Sequence, residues 1–244
     1  MVRSFLVRGM IAGAIAAVVA FVFAWLFGEP ALDGGIAYED ALAAAAGEEG
    51  GEALVSRGVQ STIGLFVALL VYGIAFGGIL GIVCATTQGR LGTLSARAGI
   101  VVTTLLAFVA VVLVPFLKYP PNPPASSIDE TIGLRTGLYV VFLVLSVVFA
   151  VAAVALARRL ADQRGWWNAT LIATGAYLVA MAIVGALLPA IRETPADFPA
   201  VVLYDFRLAS MGIQIVFWTV LALTLATLVQ RASRSTPSTT ALVS

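Results

Sequence analysis

The chain has 244 residues, 61% of them apolar and only 11% charged, with a net charge of +1 and a mean hydropathy of +1.03. A soluble domain carries about 45–50% apolar and about 25% charged residues, so this chain cannot cover itself with a water-facing surface. No histidine and a single cysteine, Cys84, exclude a His-based triad, a His-ligated haem, a His/Cys zinc site and an intrachain disulfide, and the dispersed Lys and Arg form no nucleic-acid-binding patch.

A membrane-spanning helix needs about 20 predominantly apolar residues. Charge-free windows of at least that length lie between Arg8 and Glu29, Arg57 and Arg90, Arg97 and Lys118, Arg135 and Arg158, Arg164 and Arg192, and Arg207 and Arg231. They predict six spans near 9–28, 62–85, 98–117, 137–157, 169–190 and 210–229. The first has Arg3 and Arg8 ahead of it, but it is longer than a signal-peptide core and lacks a clear small-residue cleavage site. The expected fold is therefore an all-α polytopic membrane protein. A six-helix transmembrane bundle fills residues 1–232, and 233–244 form a flexible cytoplasmic tail.

Lys and Arg concentrate on the cytoplasmic loops of membrane proteins. With the N-terminus inside, the inner segments carry nine basic residues and the outer segments five, against twelve outer acids. Both termini are expected in the cytoplasm, at the inner (plasma) membrane. Gly9 with Gly13, and Gly73 with Gly77 and Gly81, form small-residue rows that let helices approach closely in lipid. Trp166 and Trp167 beside Arg164 fit an interfacial anchor, and Cys84 fits a small packing residue.

The outer segments hold the unusual chemistry. The first carries Tyr38-Glu39-Asp40, an alanine run to Ala46 that predicts a short helix stopped by Gly47, and then Glu48, Glu49 and Glu52. It reads either as a solvated acidic loop or as a weak collector of divalent cations. The second is Pro115-Phe116-Leu117-Lys118-Tyr119-Pro120-Pro121-Asn122-Pro123-Pro124. Five prolines there predict a stiff, non-helical run with unpaired carbonyls. Either Lys118 and Tyr119 simply sit at the membrane interface, or the run is a pre-shaped mouth element with Asn122. In the third, Asp197 is expected to cap a helix beginning near Pro199 that continues through Asp205-Phe206-Arg207 into the last span. Arg207, Ser210, Gln214 and Trp218 share one face of that helix, and an amide inside a span faces protein or water, not lipid.

Each even-numbered span opens with an arginine, Arg57, Arg135 or Arg207, and each preceding span leaves near Pro30, Pro115 or Pro189. This pattern suggests three helical hairpins around a pseudo-threefold axis with an outward polar funnel. The alternative is that arginine merely marks where spans begin. The residues expected at the funnel are Arg57, Arg135, Arg207, Asn122, Ser210, Gln214, Lys118 and Tyr119. Asp129, Glu130, Glu193 and Asp205 are the candidate counter-charges or metal ligands, each arginine being expected to pair with an outer acid. Unless acids neutralise them, the arginines favour an anion or a chelated metal over a bare dication.

The chain resembles the CbtA-type cobalt transporter subunits. The likeness is carried by Lys118-Tyr119-Pro120-Pro121-Asn122-Pro123-Pro124, by Ser56-Arg57-Gly58-Val59-Gln60-Ser61-Thr62, and by Pro195, Phe198-Pro199-Ala200, Phe206-Arg207, Ser210, Gln214 and Trp218. The resemblance implies a polytopic membrane protein that serves cobalt uptake for cobalamin synthesis, with cobalt as transported ion and no prosthetic group. It also implies a small single-span, histidine-bearing partner of the CbtB type. Two departures stand out: relatives carry histidines in the first outer loop where this chain has acids, and the family is usually described with five spans. The competing function is a non-transporting scaffold that binds a partner through its outer loops, suggested by the absence of carboxylates inside the windows. Enzyme chemistry is the weakest reading, since no histidine is available as acid, base or ligand.

Overall fold

The computed structural model describes residues 1–47, 55–92 and 94–234, the side chains of Asp129, Ser233 and Arg234 excepted. Among these residues every regular element is helical. In lipid this follows from backbone chemistry, because a helix satisfies its own N–H and C=O groups. Five helices are long and apolar enough to cross a membrane: α1 (Val2–Ala46), α2 (Arg57–Thr87), α3 (Ala96–Lys118), α4 (Ile132–Leu187) and α5 (Ala200–Arg234).

The predicted spans fall on these helices, save that 169–190 outruns the end of α4 at Leu187 by three residues. Two of them, 137–157 and 169–190, lie on α4, which is broken at Gly165 (φ 71°, ψ 157°). That backbone region is open to glycine and strained for residues with a Cβ. The acids Glu48, Glu49 and Glu52 and the tail from 235 onward lie outside the described residues.

Proline behaves differently from expectation at two of the three span ends. α1 does not stop near Pro30 but runs on to Ala46, and α3 passes through Pro115 to Lys118. In both, a π-helical segment comes just before the proline: Ala24–Gly28 ahead of Pro30 and Val109–Leu113 ahead of Pro115. A proline ring clashes with the carbonyl four residues back and offers no N–H. The wider π turn relaxes that demand and lets the helix continue. Pro189 follows the expected pattern, with α4 ending at Leu187. Gly47 closes α1 in the left-handed conformation (φ 72°), as the sequence indicates.

Packing divides the chain into two compact units. Among the described residues, the first comprises Met1–Ala20, the stretch from Phe66 to Leu105, and Val216 onward to Arg234. Its interior is built by the glycine rows. A Cβ on Gly77 would stand 2.8 Å from Gly13 Cα, and one on Gly73 would stand 2.8 Å from Ala17 Cβ, so α1 and α2 touch backbone to backbone. Cys84, Ile100, Leu221 and Leu225 are fully buried in the same unit, and the Thr87 and Thr103 hydroxyls share a 3.1 Å hydrogen bond.

The second unit comprises Phe21–Leu65 and Leu106–Ile215. Phe142, Tyr177 and Met181 form a buried cluster against Val109, Val114 and Tyr119. Ser146 threads polarity through it: its hydroxyl donates to Ala110 O at 2.6 Å and lies 2.8 Å from the Tyr177 hydroxyl. Ala110 sits inside the π segment of α3, where the altered helical register needs an outside partner. The far end of α1 packs Gly35 on Pro123 (2.9 Å from an added Cβ) and Gly34 on Val202, and Tyr38 stacks edge-on against Phe198 at 4.7 Å.

Candidate functional site

All the residues expected at the funnel belong to the second unit; among the described residues Arg57, Arg135 and Arg207 each centre a separate arrangement, and Lys118 and Tyr119 are anchored elsewhere.

Arg57, in the first turn of α2, meets Glu29 through Nη2 and Asp33 through both Nε (3.2 Å) and Nη2 (2.9 Å). Glu29 and Asp33 lie four residues apart, and so on one face of the extended α1. Neither Glu29 nor Asp33 is among the four acids expected as counter-charges. The i, i+4 signal was present and becomes legible only once the helix is carried past Pro30.

Arg135, in the first turns of α4, has its Nε 3.6 Å from Glu193 Oε2 and donates from Nη2 to Ile128 O at 3.3 Å. Glu193 is the hub of this arrangement. The same oxygen accepts from Thr131 Oγ1 (2.6 Å) and from the Ile128 N–H (3.4 Å). One carboxylate from the segment after α4 thus holds the turn that begins it. Glu130 is exposed and makes no such contact.

Arg207 differs from both. It donates from Nη2 to Asn122 Oδ1 at 2.7 Å and from Nε to Pro121 O at 3.4 Å. The expected acid partner is missing among the described residues. Asp205 is exposed and lies only two positions away on α5, a spacing at which helical side chains do not face each other. Ser210 turns inward on its own helix, donating to Phe206 O at 2.7 Å. Gln214 is half-buried and Trp218 buried, while Tyr204, Leu208 and Ile215 are exposed. The polar stripe is therefore the protein-facing side of α5, as expected.

The proline run is pinned rather than free. Lys118 Nζ donates to Leu188 O at 3.0 Å, and the Tyr119 hydroxyl donates to Pro189 O at 2.9 Å. Burial raises the Tyr119 phenol above its ordinary value, so it stays protonated and remains a donor across the neutral range. Ser126 closes the run by donating to Pro123 O at 2.5 Å. Pro121 O, Pro123 O and Asn122 Oδ1 thus have partners, which corrects the expectation of unpaired carbonyls at those positions. Asp197 does not cap α5 among the described contacts. The start is set by the turn from Pro195 to Phe198 (3.1 Å) and by Leu203 N–H bonding to Pro199 O.

No three acidic or cysteine side chains come together as a metal-ligand set among the described residues.

The sequence profile of one protein family, described as probable cobalt transporter subunit (CbtA), matches residues 2–230, nearly the whole chain. The chain belongs to the CbtA family. CbtA membership makes it a multi-pass membrane protein of a cobalt transporter subunit family, consistent with its apolar helices. The segments that carry the CbtA likeness in sequence are the ones pinned here: Lys118 to Asn122, Arg57, and Arg207 with Ser210. Comparisons with curated proteins and with solved structures found no match.

Proposed function

We propose that this CbtA-family chain is a non-enzymatic membrane subunit for cobalt uptake linked to cobalamin synthesis. In this reading it crosses the inner membrane six times with both termini in the cytoplasm. The break at Gly165 supports six crossings, because α4 is 56 residues long, twice what one crossing uses. Three hairpins around a pseudo-threefold axis give the arrangement, and the residues around Arg57, Arg135 and Arg207 form an outward polar funnel with Asn122, Ser210, Gln214, Lys118 and Tyr119.

One observation carries most weight for how metal is handled. Glu29, Asp33 and Glu193 are committed to arginines, and no three candidate ligands cluster among the described residues. Carboxylates engaged in ion pairs are poor ligands for a bare dication, and imidazole suits cobalt better than carboxylate does. The reading therefore includes a histidine-bearing single-span partner of the CbtB type, which completes the metal site. Asp129, Glu130 and Asp205 serve as attracting charges at the mouth.

The test is radioactive cobalt uptake in a transport-deficient cell, with the chain alone, with its partner, and with Arg207→Ala or Asp205→Ala. Uptake that needs the partner and drops with either variant is expected. Full membrane expression without uptake in any combination would refute the transport reading and leave the scaffold.

A further inference from the structure

The charges of the second unit are unevenly matched. Arg57 has two carboxylates and Arg135 has one. Among the described residues Arg207 has an amide oxygen and a backbone carbonyl and no carboxylate. A guanidinium carries five N–H donors. Two are used by Pro121 O and Asn122 Oδ1, and the other three meet no acceptor among the described residues. The Oδ1 of Asn122 must face Arg207, since a guanidinium only donates. The Nδ2 of the same amide then adds two further donors beside it.

A second cation lies at the opposite end of the same five-residue segment. Lys118 bonds to Leu188 O and sits 5.5 Å from the Tyr119 ring centroid, again with no carboxylate partner among the described residues. Prolines 120 and 121 stiffen the link between these two anchored ends. Two cations on a rigid support thus face neutral acceptors and no carboxylate among the described residues. Both are half-buried, where each charge is screened less than at an open surface.

We propose that Arg207 and Asn122 form a binding site for an oxyanion, a carboxylate or a phosphate group, to which Lys118, at the other end of the segment, adds only longer-range electrostatic attraction. Guanidinium forks match both geometries and hold them with paired, charge-assisted hydrogen bonds. Resting on the transport reading, the oxyanion is the carboxylate shell of a metal chelate, which would bring cobalt to this face as an anion. A phospholipid headgroup is the other source of the same chemistry.

The experiment uses the whole chain purified in an uncharged maltoside detergent. Calorimetric titrations with citrate, cobalt(II) citrate and short-chain phosphatidylglycerol are compared among wild type, Arg207→Gln and Asn122→Asp. The second variant keeps the guanidinium and places a carboxylate beside it, neutralising the site in place, so it remains informative if Arg207→Gln fails to fold. Wild type is expected to bind an oxyanion, and both variants to bind it about tenfold more weakly or worse. Citrate or its cobalt complex as the ligand assigns the site to a soluble chelate; phosphatidylglycerol alone assigns it to the headgroup. An absence of oxyanion binding to wild type, or equal binding by Asn122→Asp, overturns the proposal. Cobalt uptake is read separately in cells, so an anion site that survives a failed uptake assay counts only against the transport reading.

Discussion

Gly13 and Gly77 face each other so closely that a Cβ added to Gly77 would lie 2.8 Å from Gly13 Cα. The nearest atoms are backbone, so no side chain can move aside to relieve the clash. Overpacking of an interior costs about 1–3 kcal/mol, and more where the backbone itself must shift. Gly77→Leu should lower the unfolding temperature in detergent sharply. Gly175→Ala, where an added Cβ meets nothing within 4 Å, should leave it unchanged. Equal melting of the two variants would contradict the close approach of α1 and α2.

Cys84 gives an independent readout of the same unit. It is fully buried in the folded chain and is the single cysteine, so a maleimide reports on one site. Labelling of wild type should be slow until denaturant is added, and Gly77→Leu should speed it. Rapid labelling of wild type would mean that the helices around Cys84 are not packed as described.

Glu193 should matter more than its neighbour Glu130. Replacing Glu193 with Gln removes the charge facing Arg135 and weakens the contacts to Thr131 and Ile128. The pair is mostly shielded, with side chains 22% and 16% exposed, and a hydrogen bond to a charged group is worth about 1.5–3 kcal/mol. A loss of that order is expected for Glu193→Gln, and a much smaller one for the exposed Glu130→Gln. Because unpaired charge is part of the cost, Arg135→Gln should partly rescue Glu193→Gln in a double-mutant cycle. Additive effects would show that the two side chains do not interact.

Ser146 and Tyr177 are predicted to be unequal partners. Ser146→Ala orphans Ala110 O in apolar surroundings and takes a partner from Tyr177, whereas Tyr177→Phe leaves the Ser146–Ala110 bond intact. Interhelical hydrogen bonds in membranes contribute about 0.6–2 kcal/mol. Thermal denaturation should show the serine variant as the weaker protein, and the opposite order would remove Ser146 as the organiser of the π segment.

The proposed six crossings carry a topological prediction. On a Cys84→Ser background, Gln163→Cys should react with a membrane-impermeant maleimide from the cytoplasmic side, and Arg192→Cys from the outside. Labelling of both from one side would leave 166–187 without a crossing.

The helical class, the position of each apolar stretch and the small-residue packing rows were settled by composition and spacing alone. They depend on local facts: the length of an uncharged run, the absence of a Cβ, and the need to close backbone hydrogen bonds in lipid. The polar face of α5 was legible for the same reason, and the CbtA likeness was carried by its motifs, chiefly the run from Lys118 to Pro124. The tertiary structure decided where two prolines fail to end their helices, because the wider π turns that accommodate Pro30 and Pro115 have no signature in residue order. It also decided the partners of the three arginines. Arg207 is tied to Asn122 across 85 residues and Arg57 to Glu29 across 28, while Asp205 and Glu130, closer in sequence to Arg207 and Arg135, stay exposed. Sequence spacing lists the charges near one another along the chain; which of them meet depends on the side of each helix they occupy and on how the irregular segments fold back. That is why the expected acid beside Arg207 proved to be an amide, and why that cation keeps its charge available.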